Sequence, residues 1–282
     1  MVTLIFLSFL LALVLCFVLV RRTHLLASNY GESKPQRFHA GDIPRLGGLA
    51  IMMGMTLGWI FGPLTGIVVD DFRLHLSWDK VWPWLVALTP AVLGGVLEDA
   101  THRLSAAYRL GFTLLSALLA WWLLDLSILR LGIPEVDSWL QSLPWIGAVL
   151  AIVAVCGLPH AFNMIDGYNG LAGIVAVMIC LALAHVCLQV GDRELAAIVL
   201  CTAGATAGFL LWNYPHGLIF AGDGGAYLWG VVAAIASITL VQRDGLVSPW
   251  FAMLLTFCVL FAITYVLAYV AIVRFKVPRW LR

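Results

Sequence analysis

Nine apolar runs, each near the roughly 20 residues a helix needs to cross a bilayer, recur along this chain and leave it one class of fold. They lie at about 2–20, 46–68, 81–97, 110–128, 144–158, 169–190, 195–212, 226–242 and 248–273. Of the 282 residues, 62% are hydrophobic and 11% charged, well past the balance of a soluble domain. The reading is an all-α, polytopic membrane helix bundle of about nine transmembrane helices, in a single domain covering 1–282. The third and fifth runs are short, and Pro83, Pro90 and Pro144 are expected to kink or start them. No positive residue precedes the first run and Arg21-Arg22 follow it, so it reads as a span that stays. A net charge of +1 gives no reason to expect nucleic acid. Cys16, Cys156, Cys180, Cys187, Cys201 and Cys258 fall in apolar runs without metal spacing and read as packing residues.

Nine spans place the loops alternately on two sides. The segments 21–45, 98–109, 159–168, 213–225 and 274–282 share one side and hold 11 of the 16 basic residues. Positive loops mark the cytoplasmic face, so the N-terminus is expected outside and the C-terminus in the cytoplasm. Trp78, Trp82, Trp84, Trp139, Trp145 and Trp250 then gather near the outer boundary, as an aromatic belt does. Every polar segment of chemical character falls on the cytoplasmic side. Asp70-Asp71, the one literal Asp-Asp pair, falls outside and reads as a solvated turn.

Four such segments stand out. The first, 34–48, carries Lys34, Arg37, His39 and Arg45, a set suited to a phosphate-bearing ligand or to anionic head groups. The second sets Glu98-Asp99 at the end of the third span. Adjacent acids raise one another's pKa, so one can act as a base, or the two can share a divalent ion or be neutralised by His102 or Arg103. The third, His160-Ala-Phe-Asn-Met-Ile-Asp-Gly-Tyr-Asn-Gly170, sets Asn163, Asp166 and Asn169 among glycines between two spans. Such a polar group is costly there unless it faces a cavity, a partner or a ligand. The fourth runs from Asn213 to Gly225 and brackets Asp223 with Gly222, Gly224 and Gly225. That gives one carboxylate room for hydrated Mg²⁺, which takes one or two carboxylates plus substrate phosphates. His185, inside a span, reads as a satisfied core residue.

In this order, the segments resemble the polyprenyl-phosphate N-acetylhexosamine-phosphate transferase superfamily, over about 34–250. The nearer likeness is to the branch using UDP-N-acetylhexosamines, through Pro44-Arg-Leu-Gly-Gly48, Phe162-Asn-Met-Ile-Asp-Gly167 and Ile219-Phe-Ala-Gly-Asp-Gly-Gly225. The resemblance implies a multi-pass enzyme of the bacterial inner (plasma) membrane with its active site on the cytoplasmic face. It would move sugar phosphate from a UDP-N-acetylhexosamine to undecaprenyl phosphate with Mg²⁺, release UMP, and start a cell-wall or lipopolysaccharide-type glycan. Carried over by position, Asp223 and Asn163 would hold the metal, and Asp99, Glu98 and Asp166 would be catalytic. Lys34, Arg37, His39, Arg45, Asn169 and Asn213 would bind substrate. Membrane lipid is a further implied partner, and the sequence leaves a homodimer open.

Four positions depart from the family pattern. Glu98 stands for a usual Asp, His102 for a common Lys, and His160 for the first Asn of Asn-x-x-Asn. Asn169 stands where the pentapeptide-transferring branch has an acid, which points away from muramoyl-pentapeptide as the substrate. The family's histidine-rich loop has no counterpart in 273–282, which leaves open a shortened variant, a truncated reading frame, phosphate contacts from Arg274, Lys276 and Arg279, or a catalytically silent partner protein. A transporter using Asp166 and Asp223 as ion sites is a third reading.

Overall fold

The computed structural model describes residues 1–22, 43–65 and 76–251, and every regular element among them is helical. In chain order these are α1 (Val2–Arg21), α2 (Gly47–Thr65), α3 (Trp78–Thr101), α4 (Ala106–Leu124), α5 (Pro134–Ser142), α6 (Pro144–Ile165), α7 (Leu171–Gln189), α8 (Arg193–Asn213) and α9 (Gly222–Arg243). All but the short α5 are long and apolar enough to cross a membrane, giving eight candidate spans among the described residues. Most of the expected ninth span, 248–273, lies outside the described residues. So do Asp70-Asp71, Cys258 and the basic tail.

α9 is the hub. Of its apolar stretch, 94% is buried, against 22% for α1 and for α4. Ala226, Gly230, Ala233, Ala234 and Ala236 keep its girth small, so neighbouring backbones come close. α2, α3, α6 and α7 pack around it, while α1 lies outside, between α2 and α8. At Gly230 the approach is closest to α6, where a Cβ would overlap the backbone of Pro159. The large aromatics of this core find partners for their N–H groups. Trp229 donates to Thr206 Oγ1 at 2.9 Å and Trp59 to the Ile198 carbonyl at 3.1 Å.

Two expectations about helix length are corrected. α3 runs 24 residues and α6 runs 22, with Pro83 and Pro90 inside the first and Pro159 inside the second. In apolar surroundings, ending a helix exposes several unpaired backbone groups, whereas a proline removes one donor. Pro144 does start α6. Among the tryptophans, Trp84 turns inward against Trp59 (ring centroids 6.0 Å apart), while the other five are exposed. His185, expected in the core, is exposed on α7 and hydrogen-bonded to Gln189 at 3.1 Å. The five described cysteines are buried and free of disulfides.

Candidate active site

The first turn of a helix leaves N–H groups without intrahelical partners, and at α9 a carboxylate from another helix takes two of them. Asp99, buried near the end of α3, accepts from the Asp223 N–H through Oδ1 and from the Gly224 N–H through Oδ2, both at 3.0 Å. Its negative charge also suits the positive end of the helix. Gly222 lets the chain enter this turn, with φ +70° and no room for a Cβ beside Asp99 Oδ2 and the Arg45 carbonyl. Arg45 precedes α2, where Phe220 N–H donates to Pro44 O at 2.9 Å, Gly47 N–H to Phe220 O at 3.0 Å and Gly48 N–H to Ala221 O at 2.9 Å. The segments containing Arg45, Asp99 and Asp223 are thus tied together by backbone.

Asp223 is the second residue of α9, in the helix rather than in a loop before it. Its side chain collects three donors from three helices. Asn163 of α6 donates Nδ2 to Oδ1 at 2.6 Å. Arg109 of α4 pairs with Oδ2 at 3.2 Å, and the Tyr227 hydroxyl, one turn along α9, donates to the same oxygen at 3.3 Å. His160, also on α6, stacks edge-on against Tyr227 (5.2 Å between centroids), and its Nε2 lies 3.0 Å from Thr113 Oγ1. Asp166 follows α6, half-buried. Burial pushes its carboxyl up to about 6, with the Arg45 charge opposing the rise and the Asp223 charge adding to it.

The sequence-predicted residues divide by what they touch. Asp99, Asn163, Asp166, Asp223 and Arg45 come together at one end of the bundle. Glu98, beside them and half-buried, accepts the Leu104 N–H at 2.9 Å and so shapes the turn between α3 and α4. Asn213 is buried with both amide ends on backbone, accepting from Gly170 N–H at 2.6 Å and donating to Ile219 O at 2.8 Å. Asn169 donates to Pro215 O at 3.0 Å. These two asparagines bind the α6–α7 turn to the α8–α9 connection. Lys34, Arg37 and His39 lie outside the described residues. Arg109 and Tyr227 were not among the predicted site residues, although Tyr227 stands at i+4 from Asp223, the spacing that brings side chains together on a helix.

Among the described residues no group of three or more His, Cys, Asp or Glu side chains could hold a metal ion. What the cluster does offer is oxygen donors with few carboxylates, Asp223 and Asp166. That fits Mg²⁺, which keeps waters and completes its shell with substrate phosphates, and not a zinc-type cage. Asn163 meets Asp223 through its amide nitrogen, and so orients the acid in this geometry.

Residues 81–241 match the family described as Glycosyl transferase family 4. A phospho-N-acetylmuramoyl-pentapeptide-transferase from Moorella thermoacetica is 30% identical over 214 residues, covering 73% of this chain and 63% of that protein. A probable undecaprenyl-phosphate N-acetylglucosaminyl 1-phosphate transferase from Bacillus subtilis is 25% identical over 233 residues, covering 83% and 61% respectively. A phospho-N-acetylmuramoyl-pentapeptide-transferase from Bartonella quintana is 27% identical, covering 71% and 60%. The chain therefore spans somewhat under two thirds of the length of these curated relatives.

Proposed function

Because the chain belongs to glycosyl transferase family 4, we propose that it transfers N-acetylhexosamine phosphate from a UDP-sugar to undecaprenyl phosphate at a membrane surface. The observation that carries the reading is the side-chain set on Asp223, in which α4, α6 and α9 each place a polar group on one carboxylate. An acceptor phosphate oxygen would attack the β-phosphorus of the UDP-sugar. The bridging phosphoanhydride bond would break, and the electron pair would leave on UMP. Both reactants are anionic, so the site must offset charge that builds up at the transferred phosphorus. Mg²⁺ held by Asp223 and Asp166 would supply Lewis-acid neutralisation there.

The chain's own residues do the rest. Asp99 holds the α9 N-terminus so that Asp223 faces α4 and α6. Arg45 and Arg109 contribute permanent positive charge, and Lys34, Arg37 and His39 are proposed to extend it. Asp166, whose carboxyl burial raises to about 6, would have to lose its proton to ligate the cation, so metal binding should weaken as the pH falls through that value. Asn213 and Asn169 act through the two turns they join. The sorting of loops along the sequence, which puts 11 of the 16 basic residues on the side of these segments, supports a cytoplasmic site in a bacterial plasma membrane.

Among donors we favour a simple UDP-N-acetylhexosamine, because Asn169 stands where the pentapeptide-transferring branch has an acid. Two of the relatives above carry a pentapeptide-transferase name and keep the other donor as a second reading. Membranes carrying the protein, given undecaprenyl phosphate, Mg²⁺ and either UDP-N-acetylglucosamine or UDP-N-acetylmuramoyl-pentapeptide, should release UMP with the first. Release only with the second reverses the donor assignment. Release with neither favours a silent partner protein.

A further inference from the structure

We infer that Arg109 is an internal counter-ion for Asp223 that a divalent cation displaces from Oδ2. The inference rests on the proposed function only in taking Asp223 as the metal-binding carboxylate. Three observations support it.

First, the two oxygens of Asp223 are held unequally. Oδ1 has one short contact, 2.6 Å from Asn163, whereas Oδ2 has two long ones, 3.2 Å from Arg109 and 3.3 Å from Tyr227. The weakly held oxygen is the one a cation can take without breaking the contact that orients the acid. Second, the guanidinium is not locked in place. Arg109 gives one nitrogen to Asp223 and interacts with the Tyr227 hydroxyl, while its Nε is buried without a hydrogen-bond partner. An arginine that serves only structure uses its fork of donors, as Arg130 does on four backbone carbonyls elsewhere in this protein. Third, a second acid stands within range of the guanidinium: the Glu98 charge acts on Arg109, and Glu98 Oε2 accepts the Leu104 N–H. Arg109 therefore has a carboxylate to turn toward when it leaves Oδ2.

Without a metal, Arg109 keeps the Asp223 charge compensated at a place where only 13% of the Asp223 side chain is exposed. A divalent ion on Oδ2 would repel the guanidinium and weaken its 3.2 Å contact, so that the guanidinium moves off. Its freed nitrogen and the unpartnered Nε–H then offer two donors to an anionic ligand beside the metal. Arg109 is in this account a positioning residue whose bond to Asp223 lowers metal affinity and readies the site for phosphate.

The test is Mn²⁺ binding to the purified full chain in detergent, read by electron paramagnetic resonance with no substrate present. Arg109→Gln keeps a donor but removes the competing charge, and should bind Mn²⁺ about three- to tenfold more tightly than wild type. This is the range expected when a partly buried charge pair no longer has to be broken. Arg109→Lys keeps the charge and should stay within about twofold of wild type, which also guards against a folding artefact. Asp223→Asn should lose this binding. If Arg109→Gln binds Mn²⁺ equally or more weakly while Asp223→Asn loses it, the counter-ion role is overturned and the metal assignment stands. If Asp223→Asn binds Mn²⁺ as wild type does, both fall.

Discussion

The two ends of α9 are built alike and used differently. At its C-terminal end, Arg130 donates to the carbonyls of Val241, Asp244, Val247 and Gly245, the positive group that the negative end of a helix favours. Gln242 joins in, accepting from Ser127 N–H at 3.2 Å and donating to Asp125 O at 2.8 Å. At the N-terminal end Asp99 does the mirror-image work for two N–H groups. The difference lies in the side chain of the first of those two residues. Asp223 is met only by side chains, from three helices, and Arg109 is left with an unused donor. A charge saturated by backbone is a fastener, because no ligand can replace its partners without unwinding a helix. A charge held by side chains can exchange them for a ligand.

The sharpest way to break this contrast is substitution at its two charged residues. Asp223→Asn should lower UMP release by at least about a thousandfold, the scale of losing a group that stabilises charge in the transition state, with a thermal midpoint close to wild type. Arg130→Ala should do the reverse. It strands several carbonyls bonded to a charged donor and should cost about 3 kcal/mol of stability, measured by thermal or denaturant unfolding in detergent, with turnover per folded molecule kept. Asp99 sharpens the comparison, since it could be a fastener or a base. Asp99→Asn should cost about 2 kcal/mol through a lost charge at the helix end and one opposed N–H pair, and should leave the shape of the pH–rate profile unchanged. A profile that loses its acidic limb would make Asp99 the base instead. Smallest is Asn213→Ala, which should cost about 1–2 kcal/mol of stability for its two backbone partners and shift KM more than kcat.

How much of this was readable beforehand follows the same division. The spans were legible because long apolar runs have few other fates, and eight of the nine are matched by described helices. Asn163, Asp166, Asp99 and Asp223 were legible because polar groups at the ends of apolar runs need a reason. Arg109 was not, since a basic residue at the start of a span reads first as an anchor for membrane orientation. Only the packing of α4 beside α6 and α9 brings it to Asp223. Tyr227 looked like one more aromatic in a span. Asn213 was visible as polar, yet nothing in its neighbours along the chain showed that Gly170 and Ile219 would consume both ends of its amide. Helix lengths were underestimated at α3 and α6, where prolines were given more weight than the cost of ending a helix in an apolar environment.

The most direct test of the central claim is UMP release per folded molecule for wild type, Asp223→Asn and Arg130→Ala, side by side in the same membranes with Mg²⁺, undecaprenyl phosphate and UDP-N-acetylglucosamine. The account predicts that Asp223→Asn folds and is silent, while Arg130→Ala is less stable but turns over at close to the wild-type rate. Turnover surviving Asp223→Asn, or lost per folded molecule in Arg130→Ala, would place the working end of α9 elsewhere than described.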